Sequence, residues 1–348
     1  MRRGARLVSS LLALISASIG ACSRADLYPI TGMAGAIASS NGGTVNRGGA
    51  GSGALGGLGG GGGGASGGVA SGMGGRAGAG GATPSCAPAG AAVGDSNQTV
   101  TVDGMSRSYV LHIPAAYAGS KPAPLVVDFH GVGQTGAKER ASSPYPAVLD
   151  PEGVVMAFPD GLKGPAGAAW NVGPCCVANV DDVAFARAVV EHVEGLACID
   201  RTRVYAVGVL TGGGLAHYLA CHAADVFAAV APAAFDLLAE NVDGCLPSRP
   251  ITVISFRGTA ESRVPYEGGA SSLVPGMPLT FLGAEATFDE WAELDRCVGP
   301  ASTPDGDGCS AYSGCDDGTE VILCTKEGGG EDPGDPSIAW PVLSRHTL

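Results

Sequence analysis

The sequence predicts an α/β fold, a mainly parallel sheet flanked by helices, preceded by a disordered Gly-rich tether. Three observations predict it. Between residues 42 and 81 more than half of the positions are glycine, whereas beyond Cys86 apolar residues gather into short runs. Those runs alternate with stretches of helical period, the pattern of a parallel sheet covered on both faces. The segment Val204-Tyr205-Ala206-Val207-Gly208-Val209-Leu210-Thr211-Gly212-Gly213 reads as a strand turning sharply into a glycine-started helix.

Residues 1–21 have the layout of an export signal. Arg2, Arg3 and Arg6 form a basic start, Leu7 to Ile19 is mostly apolar, and Gly20-Ala21 precedes Cys22. The apolar run is too short and too interrupted by serine for a spanning helix. Lipid attachment at Cys22 is the favoured reading, followed by plain secretion and then by a retained anchor. Residues 22–85 form the tether: so much glycine loses maximal entropy on ordering and offers little apolar surface to bury. As a flexible coil of about 60 residues it would span on the order of 45 Å. The glycines keep no three-residue period, which excludes collagen.

Residues 86–348, about 260 in number, suffice for one large domain with a full core. Tyr109 to Pro114 alternates and predicts an early strand. Pro124 to Gly131 is a buried strand feeding a glycine turn, and Gly153 to Pro159 is the next. Asp181 to Leu196 predicts a helix, with Asp181 and Asp182 at its N-terminus and Val183, Ala186, Val190 and Val193 near one face. Strand Val204 to Gly208, helix Gly213 to Cys221, strand Phe227 to Ala231 and strand Ile251 to Phe256 follow. Val298 to Gly318 reads as loop, and Glu320 to Cys324 as a last strand.

Of 11 cysteines, ten remain once Cys22 is set aside: Cys86, Cys175, Cys176, Cys198, Cys221, Cys245, Cys297, Cys309, Cys315 and Cys324. An even number in an exported chain predicts disulfides, with adjacent Cys175 and Cys176 expected to have different partners. No C-x-x-C pair occurs and histidines are few, so neither a metal nor another cofactor is expected. A net charge of −13 argues against a nucleic-acid partner. Asp305-Gly306-Asp307-Gly308 lacks the spacing of a calcium loop and reads as a solvated acidic loop. Membrane association is expected only through Cys22, and the chain is expected to be a monomer.

The turn after Val209 is the setting of the nucleophile elbow G-x-S-x-G, in which a serine stands exposed above the sheet. Here Leu210 occupies the serine position, and a leucine has no lone pair with which to attack a carbonyl. The wider order of motifs resembles the polyhydroxybutyrate depolymerase and feruloyl esterase group of α/β-hydrolases. The resemblance rests on Arg107-Ser108-Tyr109, His130-Gly131, Phe158-Pro159-Asp160-Gly161, Trp170-Asn171-Val172-Gly173-Pro174-Cys175-Cys176, Asp181-Asp182-Val183-Ala184-Phe185, Arg257-Gly258-Thr259-Ala260 and Val264-Pro265-Tyr266. It implies an α/β-hydrolase fold and a Ser, Asp, His triad in that chain order. Carried across, the nucleophile falls on Leu210, the acid on Glu261, and the histidine on Ile338 within Ser337-Ile338-Ala339-Trp340-Pro341.

Losing either nucleophile or base from such a triad costs about 10⁶ in turnover. An oxyanion hole from backbone N–H groups of Thr211 and of Val132 or Gly133 would keep roughly 10³–10⁴ over water. Three functions stay open on this sequence. One is a degenerate hydrolase that binds an ester, aromatic or polysaccharide-linked ligand in the old cleft, with Trp170 and Trp340 as aromatic walls or as core. A second is an active esterase rearranged around Thr211, with His346 as the candidate base on a frayed tail. The third is a structural envelope protein. Leu210 itself is either a packing residue in a relaxed turn or part of an apolar binding surface.

Overall fold

The computed structural model describes Cys86 and residues 92–271 and 273–348. The expected signal segment, Cys22 and the glycine-rich tether lie outside these residues. Nine strands form one sheet. In chain order they are β1 (Gly94–Val102), β2 (Met105–Ile113), β3 (Ala123–Phe129), β4 (Val155–Pro159), β5 (Ile199–Val209), β6 (Ala229–Ala233), β7 (Thr252–Gly258), β8 (Cys309–Tyr312) and β9 (Val321–Lys326). Their spatial order is β1-β2-β4-β3-β5-β6-β7-β9-β8. The run from β4 to β9 is parallel, while β1 and β2 on one side and β8 on the other join antiparallel.

The helices are α1 (Gly136–Ser142), α2 (Tyr145–Leu149), α3 (Asp182–Leu196), α4 (Thr211–His222), α5 (Ala284–Leu294) and α6 (Pro336–Leu343). Period-two alternation along the strands splits the apolar residues between two layers. Leu125, Val127 and Phe129, with Val204, Ala206, Val253, Val321 and Leu323, face the layer that holds α3, α4 and α5. Val126, Met156, Phe158, Tyr205, Val207 and Ile254 face the opposite layer, closed by Tyr145 and Leu149 of α2 and Trp340 and Leu343 of α6. Central strands buried on both faces explain why their sequences read as unbroken apolar runs. The predicted strands and helices recur with ends displaced by a few residues: Val204 to Gly208 is the inner part of an eleven-residue strand, and the strand expected from Gly153 to Pro159 begins only at Val155.

Two expectations are corrected. The stretch from Val298 to Gly318 is not all loop, because Cys309–Tyr312 pairs with Val321–Cys324 as an edge strand. Its apolar content is too low for a buried strand; the Cys309–Cys324 disulfide and one-sided pairing hold it instead. Cys175 and Cys176 are bonded to each other, not to separate partners. The other eight cysteines pair as Cys86–Cys198, Cys221–Cys245, Cys297–Cys315 and Cys309–Cys324, which leaves that pair no alternative. Five disulfides fit an oxidising, extracellular compartment. Among the described residues no helix is long and apolar enough to cross a membrane.

One buried ion pair ties the antiparallel edge to the start of α3. Arg107 on β2 donates to Asp182 at 2.8 Å with both side chains buried, and its guanidinium lies 3.9 Å from the centre of the Phe185 ring. Asp182 also accepts from the Asn171 N–H at 2.6 Å, while Asp181 caps the helix by accepting from Ala184 N–H at 2.8 Å. Removing one partner of a buried pair leaves an uncompensated charge. Arg107→Met should therefore destabilise the protein by about 3 kcal/mol, measured by urea denaturation; a loss near zero would show that Asn171 alone satisfies Asp182.

Candidate active site

The elbow is built, and built under strain. Leu210 sits between β5 and α4 at φ 50°, ψ −122°, a left-handed conformation that costs a β- or γ-branched residue roughly 1–3 kcal/mol. Close packing of the flanking glycines enforces it. A Cβ on Gly212 would lie 1.8 Å from the Phe129 carbonyl oxygen, and one on Gly208 would lie 2.6 Å from the Gly212 carbonyl carbon. The turn is also tied by Leu210 N–H to Ala233 O at 2.9 Å and by Gly214 N–H to Leu210 O at 2.8 Å. A relaxed turn, one of the explanations for a leucine here, is thereby excluded.

The Leu210 side chain is 6 % exposed and lines a cavity of about 310 Å³. Gly131, Val132, Gln134, Ser143, Pro144, Tyr145, Asp128, Glu139, Arg263 and Glu331 share that lining. None of the chain's six histidines is among them. His130 is fully buried with both ring nitrogens engaged: Nδ1–H donates to Gly131 O and Nε2 accepts from Gly161 N–H, each at 2.8 Å. Burial holds its pKa below the ordinary imidazole value. His217 is neutral too, with burial pushing it down to about 3, between Trp291 Nε1 at 3.0 Å and Phe235 O at 3.3 Å.

The other expected residues scatter. Thr211 is fully buried, and its hydroxyl has no hydrogen-bond partner among the described residues. The proposed Thr211–His346 pair is corrected: Leu348 N–H bonds to Thr202 O near the opposite end of β5, so the tail is anchored far from the elbow. His346 instead lies 3.9 Å from Glu320. Trp170 and Trp340 are core residues and not cleft walls, because each finds an internal acceptor for its N–H and buries its ring. Trp170 donates to His130 O at 2.9 Å and Trp340 to Glu152 at 2.8 Å. Gly133 is also removed from the oxyanion hole, since its N–H donates to Ala168 O at 2.7 Å. The N–H groups of Val132 and Thr211 have no acceptor among the described residues.

Glu261, at the acid position after β7, is buried; its Oε1 accepts from Arg263 N–H at 2.7 Å and its Oε2 has no partner among the described residues. Ile338 lies on α6 and lines an adjoining cavity with Phe256 and Asp335, the two cavities sharing Pro144 and Pro333. Among the described residues no group of three or more His, Cys, Asp or Glu is placed to hold a metal.

Sequence reasoning missed Asp128, Glu139 and Ser143. Asp128 is the sole polar residue of β3 and is 2 % exposed; Ser143 donates to it at 2.6 Å. Burial, and then the negative charge of Glu139, push its carboxyl well above the usual range. Burial alone raises Glu139 to about 7. The signal was present: a carboxylate inside an apolar strand has to be neutralised or partnered.

Two predictions follow from this geometry. Thr211→Val deletes an unpartnered buried hydroxyl, so thermal unfolding should show stability unchanged or raised by up to ~1 kcal/mol. Glu139 is raised in the folded state, so its stabilising contribution is complete below pH 4.5 and is lost as pH rises through about 7. Across that window Glu139→Gln should therefore show a smaller fall in Tm than the wild type; an equal fall would assign the dependence to other groups.

No family model matches the chain. Over 246 residues it is 42% identical to feruloyl esterase B of Piromyces equi, covering 70% of this chain and 46% of that protein. The chain thus spans less than half the length of this relative. The putative esterase NocK of Nocardia uniformis subsp. tsuyamanensis is 30% identical over 262 residues, covering 70% of this chain and 73% of the relative. The structure of acetyl xylan esterase from Aspergillus awamori shares the fold at a TM-score of 0.54 and 14% identity, covering 72% of this chain and 99% of that one. Parallel sheet, glycine-forced elbow and these relatives together place the chain in the feruloyl esterase and esterase-like family of α/β-hydrolases.

Proposed function

We propose that this chain is an exported, catalytically degenerate member of its family that binds an ester, aromatic or polysaccharide-linked ligand in the ancestral cleft without hydrolysing it. The observation that carries this reading is Leu210 in the strained elbow, facing a cavity whose lining includes no histidine. Neither leucine nor isoleucine transfers a proton, and loss of either triad member alone costs about 10⁶ in turnover. The names of the relatives, feruloyl esterase and acetyl xylan esterase, support an ester- or polysaccharide-linked ligand; a polyhydroxybutyrate-like polyester is the alternative of the same chemistry. The export layout of residues 1–21, with Cys22 as lipid acceptor, would hold the domain at the cell envelope on its tether.

A rearranged esterase is the competing reading. Turnover of p-nitrophenyl acetate and methyl ferulate separates the two: we expect background rates from the wild type, unchanged in Thr211→Val. A wild-type rate well above background would overturn the degenerate reading. Restoring Leu210→Ser alone should leave activity at background, because the base is still missing. The double variant Leu210→Ser, Ile338→His should raise it by at least about tenfold, drawing on the Val132 and Thr211 N–H groups. A folded double variant with no gain would show that residue 338 does not reach the elbow.

A further inference from the structure

The cavity beside the elbow is not merely an emptied active site. Two carboxyl groups line it, Asp128 from β3 and Glu139 from α1, 2 % and 8 % exposed. Asp128 accepts a hydrogen bond from Ser143 at 2.6 Å, but the Glu139 carboxyl has no hydrogen-bond or ion-pair partner among the described residues. Glu139 is thus a largely buried residue whose carboxyl, reaching the cavity, depends for its hydrogen bonds on whatever occupies that space. Burial, and then the charge of Glu139, opposes ionisation of Asp128, while burial opposes that of Glu139.

No basic side chain answers this charge. Arg263 lines the cavity but is held by Glu331, its Nε donating at 2.5 Å. Arg140, on the same helix as Glu139, is engaged by Asp95 at 2.9 Å on the far side toward His112. The remaining titratable neighbour is Tyr145, buried and kept neutral. A hydroxylic ligand could accept or donate a hydrogen bond here, yet it would leave the like-charge repulsion in place once both carboxyls are ionised. A cation removes it. Leu210, Val132 and Pro144 make one part of the lining hydrocarbon, beside the polar side chains of Gln134, Ser142 and Ser143, and Tyr145 adds an aromatic ring suited to a cation.

We propose that this cavity binds a small organic ammonium ion, its charged head between the Asp128 and Glu139 carboxylates and its hydrocarbon part against Leu210 and Val132. The proposal deepens the reading of the cleft as a ligand site and assigns that ligand a positive charge. In such a site the elbow leucine is part of the apolar floor. The cavity volume of about 310 Å³ suits a molecule of small-ligand size.

The test is isothermal titration of the intact chain at pH 8 with hexylammonium chloride and, separately, with 1-hexanol. Hexylammonium should bind, and Glu139→Gln, checked for folding by circular dichroism, should weaken it by about tenfold or more. Hexanol should bind more weakly than hexylammonium and equally to both proteins. Equal binding of hexylammonium to wild type and folded Glu139→Gln would overturn the proposal, as would no binding at all. Hexanol binding as tightly as hexylammonium would overturn the charge assignment while leaving an apolar ligand cleft. Should the variant fail to fold, ¹³C carboxyl titration of the wild type decides: hexylammonium should lower the Glu139 midpoint, and an unmoved midpoint overturns the proposal. Esterase turnover by the wild type, which would defeat the degenerate reading, leaves this binding result untouched.

Discussion

Backbone crowding around Gly208 and Gly212 is the constraint on which the site depends. Strand β5, strand β3 and helix α4 converge so closely that a single methyl group on Gly212 would overlap the Phe129 carbonyl. The chain can pass that point only by a sharp left-handed turn, and whichever residue stands at 210 inherits the strained backbone. In a hydrolase the strain presents a nucleophile. Here the same geometry carries a hydrocarbon at its apex, and the close packing of sheet against helix holds it there.

That separation of scaffold from chemistry runs through the molecule. The parallel sheet, both helical layers and the five disulfides are in place, and Glu261 keeps a buried carboxyl oxygen with no partner among the described residues. Core residues are held by many contacts at once, so each is expensive to change. A nucleophile and its base touch little besides substrate and one another. Once one has gone, the other makes no further contribution to turnover, and its position can accept an apolar side chain that packs.

The buried polar residues now divide into two kinds. Arg107 with Asp182, and His217 with Trp291, are satisfied internally and serve the fold. Asp128 and Glu139 are not equivalent to these, because one of the two carboxyls finds no partner and both border open space. An electrostatic imbalance kept at the mouth of a strained turn is the mark of a site that meets something from outside.

The sequence by itself determined the fold class, the order of most strands, the place of the elbow and the leucine at its apex, because these are written in local patterns: period-two and apolar runs, glycine clusters, and one residue at one position. It also determined that the cysteines pair, though not how, since pairing depends on which loops meet. Only the tertiary structure decided that the turn stays strained, that Trp170 and Trp340 belong to the core, that Gly133 has already used its N–H, and that the tail with His346 lies at the far end of the sheet. Asp128 and Glu139 became a pair only there, for they are eleven positions apart on a strand and a helix whose meeting no local pattern encodes. Side-chain chemistry at a site is a matter of distances through space, and those arise from the packing of the whole sheet.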